Sequence, residues 1–460
     1  MKPRLHLRTK TKVKLRTSVK LAYAGAALSV LLVGGWLVYT NIGINKDTLA
    51  SNENQLPDFA WRKKISLAKD LVKGSETLLN FPLLVQLSDP DLKSIANGGK
   101  VIHPKGYDIR FTKADGRSIY PSQIDAYDPK KGEISAWVLM DTLSASNLQD
   151  LYVYYSNATI KAELPTILWS DSYRGIWHMN DLNAANSRKL RATVQGTGEA
   201  TGKVGAARLF DAARKDAAFY AYAEELDMRS DFSLSAWVYL NETGREQVVL
   251  SNQGDRPGGY RLFISKDNKL SADYLNASGK RISLNEVSGG EKLEKGRWYY
   301  LAVSYSLKEN MFQTFVDGLS DRSLASIDAP ASSSSALQLG RELFNENTYF
   351  NGLLDEVRIS SQARTAAWMA TELYNQTLTK RLFSLGKAEY LQLDNAAVKR
   401  NKDGMNDQSA QQLDQQAKAN TLHAKKVPDS GEAPSSLTSS AEALQAKMND
   451  IRRVARDNWK

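Results

Sequence analysis

The stretch FNGLLDEVRIS, residues 350–360, places two adjacent acids inside an apolar run. Branched and apolar residues on both sides of the acids indicate a β-strand, in which successive side chains point to opposite faces. Regular alternation gives one face with Leu353, Asp355, Val357 and Ile359, and a second face with Leu354, Glu356, Arg358 and Ser360. The acids Asp355 and Glu356 are therefore predicted on opposite faces, where they cannot act together on one glycosidic bond.

Further strand-like segments precede this stretch at regular spacing. The clearest are FSLSAWVYL (232–240), YRLFIS (260–265), KLSADYL (269–275), WYYLAVSYS (298–306) and MFQTFV (311–316). Asp267-Asn268 and Asp317-Gly318 fall where tight hairpin turns are expected. Meandering antiparallel strands at this spacing predict a two-sheet sandwich over residues 166–390, closed by a short helix at 363–376.

A separate all-β module is predicted over residues 57–163. Its strand-like segments are FPLLVQL (81–87), YDIRF (107–111), ISAWVLM (134–140) and LYVYYSN (151–157). Turn-forming clusters such as NGG (97–99) and ADG (114–116) divide them. The predicted fold class is therefore all-β, with two β-sandwich-type modules in one chain.

The N-terminus predicts a membrane anchor. Residues 1–20 hold eight Lys and Arg and no acid, whereas the whole chain carries a net charge of +10, so the body is nearly neutral and nucleic-acid binding is not expected. The uncharged segment 21–44 is long enough to span a bilayer. The positive-inside rule places segment 1–20 in the cytoplasm and the body outside. A cleaved signal peptide is the alternative, and both interpretations export the body.

The C-terminal region changes composition after about residue 390. Residues 391–436 are rich in polar residues and predict a disordered linker. Residues 437–460 predict a short amphipathic helix, with Leu444, Met448 and Ile451 along one side as a surface for a partner. The basic residues of this helix leave an anionic membrane surface open as the alternative partner.

Two family resemblances follow from these motifs. The region from WRKKISL through YDIRF to DLYVYYSNATI resembles a bacterial envelope domain of unknown function, of the type found beside ExbB/TolQ-like proton channels. The region from GIWHMN through FSLSAWVYL, RWYYLAVSYS and FVDG to FNGLLDEVRIS resembles the concanavalin A-like lectin/laminin-G superfamily. This resemblance implies a jelly-roll sandwich that hosts lectins, glycosidases, adhesion modules or spacers.

The second resemblance also implies a structural calcium ion. In many members of the superfamily the acid that matches Asp355 helps to hold Ca²⁺, and a second ligand comes from the loop after the first strand. Asp181 is the candidate here, whereas Asn186 stands where an acid is common. Affinity for Ca²⁺ depends on ligand charge. A hydrogen-bonded structural Asp355 without a metal is the alternative, and no other cofactor is expected.

These observations predict a non-catalytic, membrane-anchored envelope protein, with its bulk in the periplasm and a single pass through the bacterial inner membrane. The lectin-like domain is expected to bind a ligand through loops such as 252–259 and 341–349, or to serve as a scaffold in an ExbB/TolQ-type proton-driven complex. A carbohydrate-binding adhesion or receptor protein is the alternative, and a glycoside hydrolase is a more distant one.

Overall fold

The computed structural model describes residues 55–162, 168–169, 172–187, 189–254, 258–325 and 327–391. Over these residues the chain forms 22 strands and one α-helix, and it contains no helix both long and apolar enough to cross a membrane. The predicted basic segment 1–20, anchor 21–44 and helix 437–460 lie outside the described residues, as does the predicted linker apart from Leu391.

The elements are numbered in chain order. The first module begins with β1 (Trp61–Leu67), β2 (Leu78–Ser88), β3 (Arg110–Thr112), β4 (Ser122–Asp128), β5 (Glu133–Leu143) and β6 (Leu151–Tyr155). The sandwich that follows contains β7 (Tyr173–Trp177), β8 (Thr193–Gln195), β9 (Gly198–Thr201), β10 (Ala206–Phe210), β11 (Ala217–Tyr220), β12 (Phe232–Leu240), β13 (Gln247–Ser251), β14 (Tyr260–Ile264), β15 (Leu270–Leu275), β16 (Arg281–Ser283), β17 (Trp298–Ser306), β18 (Met311–Val316), β19 (Leu319–Ala325), β20 (Leu337–Leu339) and β21 (Gly352–Ser360). The chain then forms α1 (Ala366–Leu382) and β22 (Phe383–Tyr390).

The first module consists of two antiparallel sheets, in the orders β22-β1-β6-β3 and β2-β5-β4. Both sheets bury apolar side chains in a common core, among them Ile65 of β1, Val153 of β6, Val85 of β2 and Trp137 of β5. The same core also includes Trp237, a residue of the sandwich. The two modules therefore share buried surface within one compact unit.

The sandwich has an eight-stranded and a seven-stranded sheet. The first follows the order β19-β18-β17-β12-β21-β10-β9, with β7 also paired to β21, and the second follows β16-β15-β14-β13-β20-β11-β8. Their facing apolar side chains form a second core. The predicted hairpin turn between β18 and β19 is present, with φ values of 48° at Asp317 and 72° at Gly318.

Helix α1 packs between the modules. The Thr365 side chain caps its N-terminus by accepting a hydrogen bond from the backbone N–H of Trp368 at 3.2 Å. Asn375 fixes the helix to β2, because its amide accepts from the N–H of Leu84 at 2.7 Å and donates to the same residue's carbonyl at 2.9 Å. The helix predicted at 363–376 is thus confirmed, but it runs on to Leu382.

Strand β22 returns the chain to the first module. It pairs with β1 in antiparallel register, so that Tyr390 lies opposite Trp61. Residues 383–390, which the sequence analysis placed at the end of the sandwich domain, therefore form an edge strand of the first module's sheet. The sequence FSLGKAEY does not predict this strand, because only Phe383, Leu385 and Ala388 pack against the core.

Candidate functional site

Strand β21 contains a β-bulge at its two adjacent acids. Its partner β12 pairs in register on either side, but Glu356 and Val357 both lie opposite Ala236. Glu356 adopts a left-handed conformation, with a φ of 46°. One extra residue in a strand interrupts the alternation of side chains and bends the strand.

This bulge makes the predicted assignment of faces wrong. The core-facing residues of β21 are Leu354, Val357 and Ile359. Asp355 pairs with Trp237, whose side chain lies in the core shared with the first module. Asp355 and Glu356 therefore share the outer face of the sheet, and a strict period of two fails because the sequence does not reveal the inserted residue.

On this outer face, Glu356 belongs to a buried chain of ion pairs, here called the inter-module network. Its two carboxylate oxygens lie 2.7 Å from His178 Nδ1 and 2.7 Å from Arg358 Nη2. The second terminal nitrogen of Arg358 bonds to Glu372 of α1. Tyr300 donates its hydroxyl to Glu372 at 2.9 Å. The network thus connects the sandwich to α1.

Trp137 of the first module and Trp169 of the segment that follows it cover this network. The Arg358 guanidinium lies 4.5 Å from the ring centroid of Trp137 and 5.3 Å from that of Trp169. The side chains of Glu356 and Arg358 are 1% and 2% exposed. These acids are therefore paired beneath α1 and Trp137, and removing one partner would leave a buried charge uncompensated.

The charges of the network stabilise one another. Burial alone lowers the pKa of His178, but the neighbouring Glu356 carboxylate outweighs it and raises that pKa above the usual 6.5. Burial acts to raise the pKa of Glu356, but His178 and Arg358 bring it below its usual range. Burial and the nearby charge of Glu356 raise the pKa of Asp355 well above its ordinary value.

The calcium candidates have backbone partners. Asp355 accepts hydrogen bonds from the N–H groups of Lys203 at 2.7 Å and Val204 at 2.8 Å. Asp181 is exposed and accepts from a backbone N–H of its own loop, and Asn186 bonds to the backbone of β7. Across the described parts of the chain, no group of three or more His, Cys, Asp or Glu side chains is placed to hold a metal ion. Calcium binding by Asp355 and Asp181 stays a prediction.

A second polar surface crosses the outer face of the seven-stranded sheet. Paired residues on neighbouring strands form a continuous line, here called the transverse row: Phe219, Gln338, Ser251, Arg261, Asp273 and Ser283. Their chain neighbours, such as Leu262, Ala272 and Leu337, point into the sandwich core. The row therefore faces away from the core, on the side opposite to the inter-module network.

Ion pairs fix one half of the transverse row. Arg261 holds Asp273 at 2.8 Å and also contacts Glu246 and Glu342, at 2.8 and 2.9 Å. Arg281 approaches Asp273 to 2.9 Å. Each of these carboxylates is thus engaged by a guanidinium group.

The other half of the row contains a buried amide without a partner. Gln338 is fully buried, and within the described residues neither its Nε2 nor its Oε1 atom has a hydrogen-bond partner. Burying an amide without hydrogen bonds costs free energy. Because a sugar hydroxyl can both donate and accept, it could satisfy either atom.

The two loops named by the sequence analysis follow β13 and β20, the strands that hold Ser251 and Gln338. An ideal Cβ at Gly254 would lie 1.9 Å from the hydroxyl oxygen of Ser335, so the chain passes too close there for a side chain. At the base of the first loop, Gly258 has a φ of 118°, and a Cβ there would overlap the carbonyl of Ser332. Gly258 is therefore suited to a position where the chain passes close to the segment that precedes β20.

Sequence reasoning missed the inter-module network and the transverse row. His178 meets Glu356, which lies 178 residues further along the chain, and Glu372 joins the network from a helix beyond it. The transverse row could have been predicted from single polar residues that stand between apolar core residues, as in LQL at 337–339. The partner residues Leu444, Met448 and Ile451 lie outside the described residues.

Two family models match the chain. Residues 211–370 match Laminin_G_3, the concanavalin A-like lectin/glucanases superfamily, and residues 105–164 match DUF2341, a domain of unknown function. The chain thus contains a DUF2341 domain and a concanavalin A-like domain, as the sequence resemblances predicted. No curated protein sequence matches the chain significantly.

Similar solved structures include domain 4 of AbnA, a GH43 extracellular arabinanase from Geobacillus stearothermophilus, in complex with arabinotriose. It is 18% identical, with a TM-score of 0.37, and the match covers 44% of this chain and 98% of that one. The binding domain of Paraclostridial Mosquitocidal Protein 1 is 13% identical, with coverages of 44% and 52% and a TM-score of 0.37. The receptor binding domain of botulinum neurotoxin D is 14% identical, with coverages of 45% and 54% and a TM-score of 0.36. The chain spans about half the length of the two toxin structures.

Proposed function

We propose that this chain is a non-catalytic, membrane-anchored envelope protein whose lectin-like domain binds a glycan at the transverse row, with loops such as 252–259 and 341–349 contributing to binding. The observation that carries the proposal is the fully buried, unpaired amide of Gln338. A buried amide in this state favours an occupant that restores its hydrogen bonds.

The surroundings of Gln338 support a saccharide as that occupant. Phe219, directly paired with Gln338, offers a half-buried aromatic ring. The Arg341 guanidinium lies 5.8 Å from that ring centroid and donates to the Tyr349 hydroxyl at 2.7 Å. Ligand pockets of this kind combine aromatic surface with a few placed polar groups.

The acids on the two outer faces of the sandwich support binding without catalysis there. Glu356 and Glu372 are buried in the inter-module network, and Asp273, Glu246 and Glu342 are all paired with Arg261. A glycosidase needs one carboxylic acid free to protonate the leaving oxygen and one free carboxylate. If the wild type hydrolysed a bound glycan and a variant of one of these acids did not, the glycoside hydrolase alternative would be supported.

A binding screen followed by titration tests the proposal. The detergent-solubilised full chain is applied to a glycan array, and each hit is titrated against the wild type and Gln338→Leu. We expect the variant to lose about tenfold or more in affinity, since it lacks both hydrogen-bonding atoms. Gln313→Leu, which changes a half-buried glutamine on the other sheet, should bind normally. Equal binding by all three proteins would contradict the site.

The proposed location rests on segment 21–44 as a single-pass anchor, with the body in the periplasm. Protease added to intact spheroplasts should degrade the body. Protection of the body in spheroplasts, with degradation only after lysis, would overturn the proposed topology.

A scaffold in an ExbB/TolQ-type proton-driven complex is the second candidate function. The inter-module network favours it, because a rigid two-module body suits a spacer or a docking platform. Crosslinking in cells followed by purification should then recover a proton-channel protein. Leu444→Asp combined with Ile451→Asp should lower that recovery if the C-terminal helix holds the partner, while the level of the protein itself stays unchanged.

A further inference from the structure

A cleft in the sandwich domain borders β7. Its volume is about 630 Å³, and its lining includes Arg174 of β7, Lys189, and the segment from Tyr222 to Ser230 between β11 and β12. Ligand pockets in proteins commonly measure about 300–1,000 Å³. The cleft is therefore large enough for a short oligosaccharide.

One wall of this cleft is fixed in place by hydrogen bonds. The carbonyl of Leu226 accepts from the Tyr260 hydroxyl at 3.0 Å and from the Asn252 amide at 3.2 Å. Asp227 accepts from Ser332 at 2.6 Å and from the N–H of Ser333 at 2.7 Å. A wall that is already ordered loses little conformational entropy when a ligand binds.

The Tyr222 ring is displayed on this ordered wall. It is 47% exposed, and it is one of the few large apolar side chains in the described residues that face solvent. The apolar face of a sugar ring can stack on such a ring, while the polar edges of the sugar remain hydrogen-bonded. The segment thus holds an aromatic platform on a rigid support.

The charges around Tyr222 cancel one another. The lining contains three cations, Arg174, Lys189 and Arg229, and three acids, Glu224, Glu225 and Asp227. Arg229 pairs with Asp227 at 2.6 Å, and Glu225 accepts from Ser187 at 3.2 Å. The formal charges of the lining sum to zero, so the cleft should not favour a charged ligand. It still offers hydrogen-bond donors on Arg174 and Lys189 and an acceptor on Glu224.

From this geometry we infer that the cleft is a second ligand site, which takes an uncharged saccharide stacked on Tyr222 and hydrogen-bonded by Arg174, Lys189 and Glu224. Sugar hydroxyls both donate and accept, which matches a lining of mixed and balanced charge. None of the lining residues belongs to the transverse row, so the chain would hold two saccharides at two sites of one domain.

Chemical footprinting tests the cleft directly. The full chain is acetylated with and without cellotriose, maltotriose, chitotriose or trigalacturonate near their solubility limits, and the lysines are quantified by mass spectrometry. At least one neutral trisaccharide should slow the acetylation of Lys189 and leave Lys308, whose side chain is 87% exposed, unchanged. Unchanged acetylation of Lys189 with every probe would overturn the inference. Protection by trigalacturonate alone, lost in high salt, would overturn the assignment of an uncharged ligand.

Variants separate this cleft from the transverse row. In Tyr222→Ala, the saccharide concentration that protects half of Lys189 should rise about tenfold. Tyr390→Ala is the control, because Tyr390 lies in the first module and is about as exposed as Tyr222, and it should leave that concentration unchanged. Gln338→Leu should leave the protection of Lys189 intact even if it abolishes binding at the row. Loss of that protection in Gln338→Leu would show that the cleft is not an independent site.

Discussion

The two outer faces of the sandwich carry similar residues and differ in what covers them. On the eight-stranded sheet, Arg358 and Glu356 are covered by α1 and by an aromatic side chain of the first module. On the seven-stranded sheet, Arg261 and Asp273 are flanked by residues of loops, such as Glu342. In both places an arginine on a strand organises carboxylates around itself.

The two faces also differ in which polar groups lack hydrogen-bond partners. In the inter-module network both oxygens of Glu356 and both oxygens of Glu372 have partners. In the transverse row, Gln338 has none within the described residues. Within the described residues, His178 Nε2 and Arg358 Nε of the network also lack partners, but the first module covers them, whereas the amide of Gln338 lies on the outer face of the seven-stranded sheet. For this reason the proposed ligand site is the transverse row and not the network.

The largest effect is expected from Arg358→Leu. This change leaves Glu356 and Glu372 buried without their shared cation, so the free energy of unfolding should fall by about 3–5 kcal/mol. Lys64→Leu, which breaks the exposed pair with Asp150, should cost less than about 1 kcal/mol. Urea denaturation of the full chain measures both. If Arg358→Leu lowered the free energy of unfolding no more than the control does, the network would not have the stabilising role assigned to it.

Two buried glutamines on the seven-stranded sheet provide a matched pair. Gln247 accepts from the N–H of Asn351 and donates to the carbonyl of Glu242, both at 3.0 Å. Gln247→Leu should therefore lower the free energy of unfolding by about 1–3 kcal/mol. Gln338→Leu should not lower it, because no bond is lost. If the two variants were equally destabilised, Gln338 would have a partner in the folded chain.

A smaller effect is expected from pH. The raised pKa of His178 means that its stabilising charge is fully present below its usual value of 6.5 and is lost as pH rises through the raised pKa. The lowered pKa of Glu356 means that its contribution is present above its usual 4.5 and is lost as pH falls through the lowered pKa. The pair is therefore most stabilising between those two usual values.

Thermal unfolding at a series of pH values checks this dependence. The melting temperature of the wild type should decline above neutral pH, and His178→Gln should flatten that decline, since its amide still bonds to Glu356 but does not titrate. His103→Gln, in the first module, should keep the wild-type slope. An unchanged slope in His178→Gln would show that other groups set the dependence.

The smallest effect is expected from Asp355→Asn. Because burial raises the pKa of Asp355, its stabilising contribution is present below the usual 3.8 and is lost as pH rises through the raised pKa. An asparagine oxygen can accept the same two N–H bonds, so the melting temperature at neutral pH should rise slightly. Calcium chloride distinguishes the alternative: a rise in the wild-type melting temperature on its addition, lost in Asp355→Asn and in Asp181→Asn, would establish the calcium site.

Strands buried on both faces could be predicted closely. Strands β12, β17 and β18 begin and end at the residues where the runs 232–240, 298–306 and 311–316 predict them. In these runs aromatic and branched residues fill both faces, because one face lines the sandwich core and the other meets a neighbouring layer. Burial selects apolar residues along the whole strand, so the bounds of such strands can be predicted from the sequence.

Features that depend on distant partners could not be predicted. The bulge at Glu356 requires only one inserted residue, and the run from Leu353 to Ser360 looks regular without its partner β12. Likewise, β22 looks like a polar segment until β1 is placed beside it. The unpaired state of Gln338 depends on every neighbour within hydrogen-bond reach, so no local pattern encodes it.

The pairing of β1 with β22 brings the two ends of the folded body together. Leu391 donates its N–H to the carbonyl of Ala60 at 2.9 Å, and Leu56, Phe59 and Leu391 pack around Tyr154. A force that draws residues 56 and 391 apart therefore loads these antiparallel strands from one end. Their hydrogen bonds would open one after another, like a zipper, instead of resisting together in shear. Under tension this edge strand should detach first, at a lower force than the sandwich needs to unfold.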